Sequence, residues 1–123
     1  MLKDDFYQLK NLEQVSDTEY IANIHLNNKH EIFKGHFPGQ PVVPGVCMIQ
    51  IVKEIVSEAL NLNLSLRSSR NIKFTALIDP NKTPDLKLKL TIESKEGNTI
   101  RVKNVSSFGT IDAVKMDLNY III

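Results

Sequence analysis

At 123 residues the chain has the size of one domain, enough to bury roughly two thirds of its unfolded surface and too little for two separate cores. Hydrophobic residues at 42% and charged residues at 24% exclude a disordered or fibrous chain. Fifteen basic against fourteen acidic side chains give a formal charge of +1, which excludes the strong basic excess that nucleic-acid tracking needs. The single cysteine, Cys47, excludes an internal disulfide and cannot by itself build a metal centre.

The amino-terminal run Met1-Leu2-Lys3-Asp4-Asp5-Phe6 has no apolar stretch behind its lysine, so it does not read as a secretory signal, and cytoplasmic residence is the expectation. Residues 42–60, the most apolar stretch, are interrupted by Gln50, Lys53, Glu54 and Glu58 and are too polar to span a bilayer. One domain over residues 1–123 is expected.

Residues 20–26 alternate Tyr20, Ala22, Ile24 and Leu26 with Ile21, Asn23 and His25, the period of two of a half-buried strand. Residues 7–15 are expected to pair with it through a turn at Ser16-Asp17-Thr18. Residues 33–45 are dense in proline and glycine, so the region is expected to be irregular, with no helix or strand running through it. Pro44 suits a helix start, because its missing donor is one the first turn leaves unpaired, and a helix is predicted from there to about Leu60. On a helical wheel Met48, Val52, Ile55, Val56 and Ala59 form an apolar arc, with Gln50, Lys53, Glu54, Ser57 and Glu58 opposite.

Four strands follow. Residues 71–78 place Ile72, Phe74, Ala76 and Ile78 on one face, and residues 79–84 read as a turn. Residues 85–93 set Leu86, Leu88, Leu90 and Ile92 against Lys87, Lys89, Thr91 and Glu93, and Glu96-Gly97-Asn98 turns the chain. Residues 99–108 and 111–121 complete the set, with a bulge expected at Asn104, which interrupts the alternation. Two strands, one long helix and four strands imply an α+β fold, an antiparallel six-stranded sheet wrapped around the helix.

The densest motif is Gly35-His36-Phe37-Pro38-Gly39-Gln40-Pro41-Val42-Val43-Pro44-Gly45-Val46. These twelve contiguous positions resemble the active-site loop and helix start of the 3-hydroxyacyl-acyl-carrier-protein dehydratases of fatty-acid synthesis, and the order of elements along the whole chain resembles their hotdog fold. The resemblance implies dehydration of a 3-hydroxyacyl thioester, linked to acyl carrier protein or to coenzyme A, giving the trans-2-enoyl thioester, in fatty-acid or related polyene or polyketide synthesis. It implies no cofactor and no metal.

That reaction needs a base, an oxyanion stabiliser and an acid. By resemblance His36 is the base, and an imidazole with an ordinary pKa of about 6.5 suits the task. Backbone amides of Gly45 and Val46 at the helix start are the expected oxyanion donors, glycine at 45 admitting a thioester close to the backbone, and Phe37 and Pro38 are expected to line the substrate. The family's acid, a Glu or Asp fourteen residues after the histidine and usually contributed by the partner subunit, is here Gln50, which cannot donate and recover a proton at accessible cost. One turn later the family typically carries glutamine, and here Glu54 stands, so acid and amide look exchanged between i and i+4. Glu54 is thus either a compensating acid or part of a solvated stripe with Lys53 and Glu58; as a third course, His36 both takes and returns the proton.

Other residues weigh less. His25 and His30 read as surface histidines and Cys47 as a small core residue. Lys34, Arg67, Arg70, Lys73, Arg101 and Lys103 offer basic groups to an acidic carrier protein or are ordinary outward-facing residues. The resemblance implies a homodimer with sheets joined edge to edge, and admits a hexamer built as a trimer of dimers. Two alternatives stay open: a non-catalytic acyl-thioester-binding subunit paired with a different hotdog chain, and an acyl thioesterase.

Overall fold

The alternating strands and the amphipathic helix close on one another in a computed structural model that describes residues 1–35 and 39–123. The elements run β1 (Tyr7–Gln14), β2 (Glu19–Leu26), α1 (Ile32–Gly35), α2 (Gly45–Leu60), β3 (Leu64–Phe74), β4 (Asp85–Glu96), β5 (Thr99–Phe108) and β6 (Ile111–Ile122). The six strands form one sheet in the order β1-β2-β4-β5-β6-β3, every neighbouring pair antiparallel. This is the hotdog arrangement that the strand order predicts.

The sheet holds together for the reason its alternation suggests. Leu86, Leu88 and Leu90 on β4 and Ile100 and Val102 on β5 are buried, as are Val114, Met116 and Leu118 on β6. They meet Met48, Ile51, Val52, Ile55 and Val56 of α2, all 1% exposed or less. At roughly 25 cal/mol per Å² of apolar surface, this shared layer is the main source of stability. Pro44 precedes α2 with extended backbone, and the helix stops at Asn61, whose left-handed φ of 53° turns the chain while Leu62 N donates to Ser57 O at 3.0 Å.

Several expectations are corrected. The third strand is β3, Leu64–Phe74, and not residues 71–78. Its last pair with β6 is Phe74 with Val114; Thr75 and Ala76 still donate to Ala113 O, but Ile78 has left the ladder and is buried as a loop residue whose carbonyl accepts from Val43 N at 2.9 Å. Asn104 sits in register, opposite Leu90 and Met116, with no bulge. It continues the inward row of β5, buried, and Nδ2 donates to Lys89 O at 3.2 Å while Oδ1 accepts from Ser106 Oγ at 3.1 Å. The irregular region also contains one helical turn, α1, whose Phe33 packs against Phe6 with ring centroids 5.4 Å apart.

Candidate active site

The motif that points to chemistry falls partly outside the described residues: this is true of His36, Phe37 and Pro38. The segment after them is described. Gly39 has φ of +84°, a conformation that favours glycine. Gly45 opens α2, and a Cβ built on it would lie 2.8 Å from Phe74 Cζ, so glycine here lets an aromatic ring from the end of β3 approach the helix backbone. Gly45, Met48, Phe74 and Ile78 line a cavity of about 250 Å³ together with Val43 and Pro44. The first-turn amides of Gly45 and Val46 lack the intrahelical acceptors that later residues have, and the Val46 side chain points outward, 72% exposed.

Gln50 and Glu54 lie on another face of α2. They line a groove of about 760 Å³ that Lys3, Glu58 and Leu64 also border, so a single chain does not bring Gln50 into the cavity at Gly45. Glu54 is not part of a solvated stripe, as its place on the polar arc suggests, but is 8% exposed. Its Oε2 accepts from Leu2 N and Gln50 Nε2, both at 2.8 Å, and its Oε1 from Lys3 N at 2.9 Å and Tyr7 Oη at 3.1 Å. The amino-terminal segment is thereby tied to the helix, an arrangement reinforced by Lys3 Nζ on Glu58 Oε1 at 2.6 Å.

The electrostatics follow from this cage. Burial alone raises a carboxyl pKa, but hydrogen bonds from Leu2, Gln50, Lys3 and Tyr7 outweigh it and hold Glu54 below the ordinary carboxylate range. Glu54 is therefore ionised near neutrality, with its oxygens occupied by donors. A compensating general acid has to carry a proton at working pH, and Glu54 does not fit that expectation. Tyr7, buried and beside this carboxylate, has its phenol pushed upward.

Cys47 is buried and burial pushes its thiol up, which suits a core residue. His25 Nδ1 lies 2.7 Å from Asp85 Oδ1 on the exposed face, and His30 Nε2 lies 3.1 Å from Asp5 Oδ2, with its ring edge-on to Phe6. Arg101 makes a two-point contact with Asp117, at 3.0 and 2.8 Å, and Lys103 lies 3.5 Å from Glu93, so two of the six basic candidates already have acidic partners. Arg67, Arg70 and Lys73 are exposed on the edge strand β3. No group of three potential metal ligands occurs among the described residues, and no helix among them is long and apolar enough to cross a membrane. Sequence reasoning missed the amides of Leu2 and Lys3 and the hydroxyl of Tyr7, partners of Glu54 that lie 47 to 52 positions away and leave no local signal.

Comparison with known proteins speaks to family and fold. Residues 12–109 match the family model described as ApeI dehydratase. Among curated proteins, the 3-hydroxyacyl-[acyl-carrier-protein] dehydratase FabZ of Clostridium acetobutylicum is 29% identical over 101 residues, covering 76% of this chain and 70% of that protein. The FabZ of Oenococcus oeni is 28% identical over 112 residues, covering 85% and 76%. Among solved structures, the dehydratase heterocomplex ApeI:P from Xenorhabdus doucetiae superposes with a TM-score of 0.74 at 24% identity, covering 93% of this chain and 96% of that one. A hypothetical thioesterase from Streptococcus pneumoniae superposes with a TM-score of 0.66 at 12% identity, over 95% and 85%; likenesses this distant in sequence speak for the fold.

Proposed function

Because this chain belongs to the ApeI-like dehydratase family, we propose that it removes water from 3-hydroxyacyl thioesters and releases trans-2-enoyl thioesters. The observation that carries the reading is the family match across residues 12–109, supported by curated relatives that are 3-hydroxyacyl-acyl-carrier-protein dehydratases. An acyl-carrier-protein-linked substrate is accordingly the first to test, with the coenzyme A thioester beside it, and the cytoplasm is the proposed compartment.

In the proposed mechanism the His36 imidazole takes a proton from the carbon next to the thioester carbonyl. The electron pair moves toward the carbonyl oxygen, where the amides of Gly45 and Val46 stabilise the developing charge. As the pair returns to form the carbon–carbon double bond, the bond to the 3-hydroxyl breaks and the hydroxyl leaves with the proton that His36 gives back, as water. Phe37 and Pro38 flank the acyl chain. Gln50 has no acidic proton to give, and with Glu54 ionised, His36 serves in both directions.

Gly45 gives a first check on the oxyanion end. Gly45→Ala sets a methyl 2.8 Å from the Phe74 ring, which is half exposed and free to swing. Stability is expected to change by less than about 1 kcal/mol, since a helix-start alanine offsets part of the contact. The displaced ring narrows the approach to the amides, so kcat/KM is expected to fall about 10- to 100-fold. A thermal melt and steady-state kinetics on one preparation separate the two.

A second reading has its own observation. Gly45 and Gln50 open into different spaces within one chain, which supports a site shared between two chains, in a homodimer or a trimer of dimers. A different hotdog chain is the other candidate partner: the solved structure of an ApeI is a heterocomplex, and β3 presents Arg67, Arg70 and Lys73 with no acidic residue between Leu64 and Phe74. The decisive experiment incubates the purified chain, alone and with a candidate hotdog partner, with 3-hydroxyacyl-carrier-protein substrates, and follows the enoyl thioester by mass spectrometry. Absence of product in both mixtures would sink the dehydratase reading, product formation that survives His36→Ala would sink the role of His36 as base, and release of free fatty acid instead would favour a thioesterase.

A further inference from the structure

One helical turn separates Gln50 from Glu54, and Gln50 Nε2 donates to Glu54 Oε2 at 2.8 Å. A carboxylate only accepts, so this bond fixes which end of the amide is which: nitrogen toward Glu54, carbonyl oxygen on the other branch. Turning the amide over would set Oε1 against Oε2, two acceptors at contact distance, and forfeit a charge-assisted bond. Glu54 cannot turn away to relieve that clash, because Leu2 N, Lys3 N and Tyr7 Oη hold its two oxygens at 2.8 to 3.1 Å. Gln50 itself is half-buried on the wall of the 760 Å³ groove.

We propose that Glu54 is a positioning residue that locks the Gln50 amide so that Oε1 accepts a hydrogen bond from the 3-hydroxyl of the thioester substrate. This rests on the dehydratase reading and deepens it, since it names the substrate group that position 50 recognises. An acceptor takes the hydroxyl hydrogen and leaves the oxygen lone pairs directed elsewhere, toward the imidazolium that the mechanism assigns to His36. Gln50 therefore binds and orients the departing oxygen without transferring a proton. An unrestrained glutamine presents either end of its amide, whereas a locked one presents the acceptor, so the cost of choosing is met in folding and not in binding.

The test is equilibrium binding of unreactive pantetheine amides, one 3-hydroxyacyl and one saturated, of the same chain length, to the assembled protein. Wild type is expected to prefer the hydroxylated ligand about 5- to 10-fold, the worth of one net hydrogen bond. Gln50→Ala and Glu54→Ala are each expected to reduce that preference below about twofold, with the saturated ligand bound within about threefold of wild type. Tyr7→Phe removes a donor from Glu54 but not from Gln50, so it lowers stability and keeps the preference, a split that a purely structural role of Glu54 would not produce. Preference retained in Glu54→Ala overturns the lock. Should that variant not fold, the side-chain amide resonances of Gln50 in the wild type, identified by their loss in Gln50→Ala, are expected to move as Glu54 titrates, and an unmoved pair overturns it equally. A wild type that prefers the hydroxylated ligand yet makes no enoyl thioester refutes the dehydratase reading and supports the lock; one that makes enoyl thioester without the preference refutes the lock alone.

Discussion

Exchanging the pair in one chain, Gln50→Glu with Glu54→Gln, is expected to raise turnover of 3-hydroxyacyl thioesters about 100-fold. The wild-type position 50 orients the hydroxyl but offers no exchangeable acid, and a missing general acid is worth roughly 10²- to 10⁴-fold in rate. With glutamate at 50 the departing hydroxyl meets a group that can carry a proton, and the pH–rate profile gains an alkaline limb where that acid loses it. Gln50→Glu alone is a different experiment. It places two carboxylates at the 2.8 Å separation now held by a hydrogen bond, so one pKa rises steeply and the pair titrates as a unit. Steady-state kinetics from acid to alkaline pH on both variants provide the check, and an exchanged chain no faster than wild type would mean that proton return by His36 is not what limits the rate.

Glu54→Ala is expected to lower folding stability by about 3 kcal/mol, because it strips a buried charged acceptor from four donors and leaves the amides of Leu2 and Lys3 without one. For a domain of this size that corresponds to a drop of about 10 °C in the thermal midpoint. The pH dependence has a definite sign. The folded carboxyl is depressed below its ordinary value of 4.5, so the unfolded chain takes up the proton first. The stabilisation is complete above the ordinary value and is lost as pH falls through the folded one. Melts of wild type and variant should therefore converge as the solution is acidified through that window; a constant gap would assign the loss to packing and not to the charge.

Much of this architecture is legible in the residues because most strands have one buried face. The alternation in residues 85–93 and 111–121 and the apolar arc of residues 48–59 each specify which side turns inward, and β4, β6 and α2 follow them closely. The edge strand β3 escapes detection for a physical reason: Ser65 to Asn71 are all exposed, so no apolar period marks them, and register shifts at Arg67 and Arg70 break what alternation there is. Asn104 misleads in the opposite way, a polar residue on the buried row, satisfied by a carbonyl of the neighbouring strand and so requiring no bulge. At the site, the spacing of an amide at 50 and a carboxyl at 54, one helical turn apart, is visible in sequence. The burial of Glu54 is not, because its burial depends on an amino-terminal segment folding back across the helix, and nothing within one turn of position 54 announces that.

The bond between Gln50 and Glu54 also constrains how such a site can evolve. Passing between the two arrangements one substitution at a time leads through either Glu–Glu or Gln–Gln. The first sets two carboxylates in contact inside a cage built for one. The second leaves the donors of Leu2, Lys3 and Tyr7 sharing a neutral amide in place of a charged acceptor. Either first step is costly from this chain's arrangement, so the carboxylate at 54 is expected to persist among descendants wherever the amino terminus still folds back across the helix.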